Sequence, residues 1–221
     1  MLEYTLRGGL NTSASAEIEV KHSRFLARIE RVASESDARA VVERARSAHS
    51  SAGHHCSGMV LGSSTMPSQV RRAQDDGEPS GTAGRPILEV ITGSDLIDVV
   101  VVVTRHFGGT LLGTGGLVRA YSEAAAAAIT AATASPGLVL RERQLMFTLA
   151  LEHADAGRIE AELRHHDVNV LGTEYGALAL LTLAAPEGAV ETLDAVVAHV
   201  TAGTRGVTAD GERWIDVPLT V

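Results

Sequence analysis

The sequence predicts an α+β protein of two domains, and three observations carry that expectation. A β-branched run from Leu96 to Thr104 reads as a central strand buried on both faces. An alanine-rich helix follows and is broken by Thr133-Ala-Ser-Pro-Gly137. Beyond the break the pattern becomes a regular β-α-β-β-α-β alternation, the ferredoxin-like split order. The domains are accordingly drawn at 1–136 and 137–221, a reasonable division for a chain of 221 residues.

Taken in order, residues 1–16 are polar and rich in small residues, a short entry segment or a frayed strand. Glu17 to Val32 reads as strand, with Phe25, Ala27 and Ile29 on one side. Ser36-Asp37 signals a helix start, and Ala38, Val41, Val42 and Ala45 form its inner stripe to about His49. Cys56 to Leu61 is a strand closed by the Gly62 turn, and Met66 to Gln74 adds another. Asp75 to Gly84 is a loop of Gly, Pro and acids. Arg85 to Thr92 is a short helix stopped by Gly93. After the central strand, Arg105 to Gly116 is glycine-rich and Leu117 to Ala132 is helical. In the second domain Leu138–Glu152, Val168–Leu171, Ala177–Ala184 and Thr204–Val217 are strands. Gly172–Gly176 is read as a turn, and His153–His166 and Ala189–Ala202 as helices.

The net charge of −8 argues against a general nucleic-acid binder, but the acidity is uneven. Residues 1–136 hold 13 basic against 14 acidic side chains; residues 137–221 hold 6 against 13. The first domain is thus free to present a local basic face. Cys56 is the single cysteine, so no intramolecular disulfide forms, which suits a reducing compartment. The amino-terminal residues lack a secretory pattern, and Val99–Val103 is far too short to cross a bilayer. A cytoplasmic protein with no membrane partner is expected.

Two blocks concentrate unusual residues. One is Asp75-Asp76-Gly77-Glu78-Pro79-Ser80-Gly81-Thr82-Ala83-Gly84-Arg85-Pro86. The other runs from Arg105 to Arg119 with glycines at 108, 109, 113, 115 and 116. A glycine loop between a buried strand and a helix exposes amides that favour anions. Arg105 and Arg119 flank it, and Arg85, His54 and His55 complete the candidate anion- or nucleic-acid-binding set: His54, His55, Arg85, Arg105, Gly108, Gly109, Gly113, Gly115, Gly116 and Arg119. The bland alternative is a tight turn with no ligand. Asp75, Asp76, Glu78 and Ser80 mark the acidic loop, capable of acid–base work or of holding magnesium, or simply of turning the chain. The two loops are expected to meet in one site, with Arg105→Ala weakening ligand binding in an intact fold.

Other signatures fail. Gly108 to Thr114 has P-loop spacing, but Thr114 stands in the lysine position. Gly113-x-Gly115 begins a dinucleotide pattern, but Val118 replaces its last glycine. His54-His55-Cys56 suggests metal ligands, yet no C-x-x-C or H-E-x-x-H is present. In a strand His54 and Cys56 share a face and His55 points away. Ser80 is not in a hydrolase elbow. No metal and no cofactor are assigned, and catalytic residues and oligomeric state stay open.

With these residues in view, the chain resembles the YigZ/IMPACT family. Val101-Val-Val-Thr-Arg105-His106-Phe107-Gly108-Gly109 followed by Leu112-Gly113-Thr114-Gly115-Gly116-Leu117 matches its signature, with His106 at a usually aromatic position. The Asp75–Pro86 loop and Lys21-His-Ser-Arg24-Phe25 match as well. The resemblance covers residues 17–132, and the order of elements beyond fits the bacterial members. It implies a first domain with the left-handed βαβ fold of a ribosomal small-subunit protein domain. The second is implied to be ferredoxin-like, similar to elongation factor G domain V. A tandem of these two folds implies a ribosome or structured-RNA partner. The eukaryotic members are translational regulators, but they carry an additional amino-terminal domain and their partner is not carried over to this chain. The expected function is a translation-associated regulator or accessory factor whose first domain binds RNA or a ribosomal component. The alternatives are an enzyme acting on a phosphate-bearing or nucleotide substrate, and a protein–protein adaptor.

Overall fold

The computed structural model describes residues 2–219. Two compact units emerge: residues up to Arg141 together with the chain from Val217 on, and Glu142–Asp216.

The first unit begins with the short β1 (Tyr4–Leu6), followed by β2 (Ser13–Val20) and β3 (Ser23–Arg31). The single strand expected over Glu17–Val32 is in fact a hairpin. It turns at Lys21 and His22, whose φ angles of 46° and 66° are those of a two-residue primed turn. Lys-His is not the Asn-Gly pair that advertises such a turn, so the sequence gives little warning of it. Helix α1 (Glu35–Ala48) starts at Ser34, whose hydroxyl accepts the Asp37 N–H at 3.1 Å. Then come β4 (His54–Leu61), β5 (Val70–Gln74), α2 (Gly84–Gly93), β6 (Val99–His106) and α3 (Thr114–Ala134). Met66–Gln69, expected in strand, precede β5, and α3 takes Gly115 and Gly116 into its first turn.

The sheet order is β2-β3-β6-β4-β5. Because β3 and β4 each run antiparallel to β6, they are parallel to one another, and β3-α1-β4 is a βαβ crossover. Strand β6 alternates between two cores, as its unbroken valine run requires. Val99, Val101 and Val103 face α2 and α3; Val100 and Val102 face α1. The alanines of α3, among them Ala120, Ala124 and Ala128, let this helix lie close on the sheet. Gly58 does the same for α2: a Cβ there would stand 2.8 Å from the Leu88 amide nitrogen.

Helix α3 ends at Ser135, in the expected Ser-Pro-Gly break. The division between units nevertheless falls after Arg141, inside β7 (Leu138–Leu151), because Leu138–Leu140 pair with β1. The second unit continues with α4 (His153–His165), β8 (Asn169–Tyr175), β9 (Ala179–Ala185), α5 (Val190–Val200) and β10 (Thr208–Pro218). Its strands lie in the order β10-β7-β9-β8, with β9 antiparallel to both β7 and β8, which is the ferredoxin-like arrangement. Leu149, Leu151, Leu181 and Leu183 pack with Ile159, Leu163, Leu193 and Val197 of the two helices. Gly172 does not turn the chain. It continues β8 past a register shift between Val170 and Gly172, and the turn to β9 comes after Tyr175.

Candidate functional site

The register of β6 places Arg105 beside His54 of β4 and Phe25 of β3, all at one end of the first unit's sheet. Arg105 turns inward. Its guanidinium lies 5.5 Å from the ring centres of both Phe25 and Phe107, and its Nη1 donates to Glu78 Oε1 at 2.7 Å. The pair is buried, with side-chain exposures of 7% and 3%. Glu78 Oε1 also accepts the Tyr121 O–H at 2.7 Å, and His54 Nε2 stands 4.0 Å from it. One carboxylate thus ties together the acidic loop, β6 and α3.

The remaining acids are occupied too. Asp75 accepts the N–H groups of Gly81, Ala83 and Gly84 at 2.8, 3.1 and 2.9 Å, so it caps α2 from a distance. Burial pushes its carboxyl up, but the amides of Gly81, Gly84 and Ala83 outweigh this and hold it below the usual range. Asp76, at a φ of 45°, accepts Arg46 Nη2 at 2.6 Å and the His55 amide at 2.6 Å. Its carbonyl takes His54 Nδ1 at 2.8 Å; a carbonyl only accepts, so Nδ1 carries the proton and Nε2 faces Glu78. Ser80 is exposed on the loop.

His55 points to the opposite face, as strand alternation requires, and meets the Thr104 hydroxyl at 3.0 Å; burial holds its pKa below the ordinary value. Cys56 faces Tyr121. Its S–H has the Asp75 carbonyl at 3.0 Å and the Tyr121 oxygen at 3.3 Å within reach, and burial pushes the thiol up to about 12. It is a packed thiol, not a nucleophile. Among the described residues no group of three or more His, Cys, Asp or Glu side chains is disposed to hold a metal ion.

The candidate anion-binding residues differ from the expectation in four respects. Arg105 is not offered to solvent but consumed by Glu78. Arg85 pairs with Glu89 at 2.8 Å on the surface of α2, and His55 lies on the other side of the sheet. Gly108 is pressed against the β2–β3 turn, its amide donating to Ser23 Oγ at 3.2 Å. What the glycine loop does expose is Phe107, 57% accessible, and Leu111, 83% accessible. It then enters α3 through Gly113, which has no side chain to cap the first-turn N–H groups, with Arg119 exposed one turn on. Phe107 lies inside the motif but is not among the candidate residues that the sequence suggests.

Asp75→Asn is expected to destabilise the first unit by about 1 kcal/mol at neutral pH, the usual value of a helix cap. The folded carboxyl is more acidic than the ordinary 3.8, so its stabilisation is present above that value and fades as pH falls through the folded pKa. Urea denaturation between about pH 7 and about pH 2 should therefore show a shallower acid limb in the variant. Equal acid limbs would count against the cap.

An α+β protein whose first unit joins an acidic loop to a strand-to-helix glycine loop, followed by a ferredoxin-like unit, is a narrow class. The comparisons place the chain within it. The family model of the Impact N-terminal domain matches residues 21–129, and a domain of unknown function (DUF1949) matches residues 149–204. The IMPACT family member YigZ of Escherichia coli (strain K12) is 37% identical over 186 residues, covering 84% of this chain and 89% of YigZ. YvyE of Bacillus subtilis (strain 168) is 38% identical over 148 residues, which is 67% of this chain and 65% of YvyE. A crystal structure of a hypothetical protein superposes with a TM-score of 0.59 at 31% identity, over 96% of this chain and 98% of the other. The chain belongs to the IMPACT family. No helix among the described residues is long and apolar enough to cross a membrane.

Proposed function

We propose that this chain is a translation-associated regulator or accessory factor, and that its first unit binds RNA or a ribosomal RNA segment at the glycine loop. The role in translation rests on membership of the IMPACT family. The RNA contact rests on one observation: an exposed aromatic ring, Phe107, stands next to a loop that leads into a helix start with no capping side chain. Single-stranded RNA is held by stacking of bases on such rings and by phosphate at helix N-termini. Gly109, Gly113, Gly115 and Gly116 supply close backbone approach, and Arg119 supplies a positive charge. Arg105 serves the ring from below rather than the phosphate.

The test is a titration of single-stranded RNA at low and moderate salt. Phe107→Ala should weaken binding by about 1–3 kcal/mol, the value of one base–aromatic stack. Arg119→Ala should weaken binding less and reduce its salt dependence. Thermal melting controls for folding. A parent protein with no RNA affinity, or a folded Phe107→Ala variant that binds as well as the parent, sinks the proposal.

A further inference from the structure

A second feature lies on the opposite face of the first unit's sheet. Helix α1 covers β4 and β6 but leaves β2 and β3 open, and the gap forms a groove of about 590 Å3. That volume lies within the range of small-ligand sites, about 300–1,000 Å3. Its walls are apolar where α1 meets the sheet: Leu26, Val41, Ala45, Ala48 and Val102.

The polar side of the groove is built around one buried carboxylate. Glu30, on β3, is 1% exposed. It accepts Arg28 from its own strand at 3.0 Å and Arg44 from α1. Arg28 also donates to Ser13 Oγ at 2.7 Å. Both guanidiniums line the groove and are about half exposed, at 45% and 53%. One carboxylate balances only one of them. Glu17, the acid that lines the groove, is taken by Arg24 at 2.6 Å. The groove therefore carries a surplus positive charge, held in place by a buried anchor, beside an apolar wall.

We propose that this groove is a binding site for a small organic anion: a flat apolar body with a carboxylate, sulfonate or phosphomonoester at one end. The body lies against α1 and Leu26. The anionic group takes the free N–H donors of Arg28 and Arg44, whose planar forks suit two-point contact with such oxygens. The site is independent of the RNA surface, being on the other face of the sheet from the Glu78–Arg105 pair.

The test uses two dyes of the same ring system on the full chain. Anilinonaphthalene sulfonate carries the anion, and N-phenylnaphthylamine lacks it. Fluorescence titration should give a single sulfonate site, with the neutral dye at least about tenfold weaker, as loss of a charge-assisted hydrogen bond implies. Arg28→Gln and Arg44→Gln should each weaken the sulfonate by about tenfold and leave the neutral dye unchanged. Each variant keeps the other arginine on Glu30, so folding is retained; melting curves check this. Ala48→Trp, at an exposed position of α1, should fill the groove and block both dyes. Phe107→Ala should change neither, which separates this site from RNA binding. Equal affinity for the two dyes, no loss in either arginine variant, continued binding to Ala48→Trp, or no sulfonate binding at all would each overturn the assignment.

Discussion

Glu78→Ala is expected to cost about 3–5 kcal/mol of stability, the usual penalty for removing one partner of a buried ion pair. Arg105 lies between two phenylalanine rings with almost no access to water, so its charge has nowhere to go when the carboxylate is removed. Tyr121 loses its acceptor in the same step. Glu78→Gln should recover little, because an amide accepts hydrogen bonds but does not balance the charge. Replacing both partners, as in Glu78→Leu with Arg105→Met, should regain much of the loss, since paired apolar residues avoid the desolvation penalty. Urea denaturation followed by circular dichroism measures all three. A Glu78→Gln protein as stable as the parent would show that the charge pair holds nothing together. The same geometry corrects the expectation that Arg105→Ala leaves the fold intact. That substitution strands Glu78 beside Tyr121 and should be nearly as damaging, so Arg105 variants cannot be read as binding variants.

Gly108→Ala is the second severe change. A Cβ at this position would lie 2.0 Å from both the carbonyl carbon and oxygen of His22, and 2.5 Å from the Ser23 nitrogen. These are backbone atoms of the β2–β3 turn, which cannot rotate aside like a side chain. The end of β6 and the hairpin would have to separate, breaking the Gly108–Ser23 hydrogen bond. The expected cost is at least about 3 kcal/mol, the upper part of the range for overpacking. Gly109→Ala provides the contrast. A Cβ there meets nothing, and only its φ of 85° is unfavourable, so the cost should be about 1–2 kcal/mol. Thermal melting of the two variants side by side decides. Equal losses would mean that backbone conformation, not contact, explains Gly108.

Adjacent glycines of one motif thus serve different ends. Gly108 allows two backbones to touch, Gly109 and Gly113 allow positive φ, and Gly115 and Gly116 open a helix. Sequence spacing registers the shared residue type of all five; what faces each of them is set by the fold.

Patterns that depend on neighbours along the chain were legible in advance. The valine run of β6 announced a strand with two buried faces, the alanines of α3 a helix packed close, and the regular order after Gly137 a ferredoxin-like unit. Strand alternation also placed His54 and Cys56 on one face and His55 on the other. The tertiary structure alone decided the rest. It turned the chain at Lys21-His22, where no glycine marks a turn, and carried Gly172 on in a strand. It joined Glu78 to Arg105 and Tyr121, residues 27 and 43 positions away, and set Arg28 and Arg44 on one carboxylate. Charge pairing and burial depend on which elements the sheet order brings together. That information lies in contacts distant along the chain, where local periodicity and spacing have no purchase.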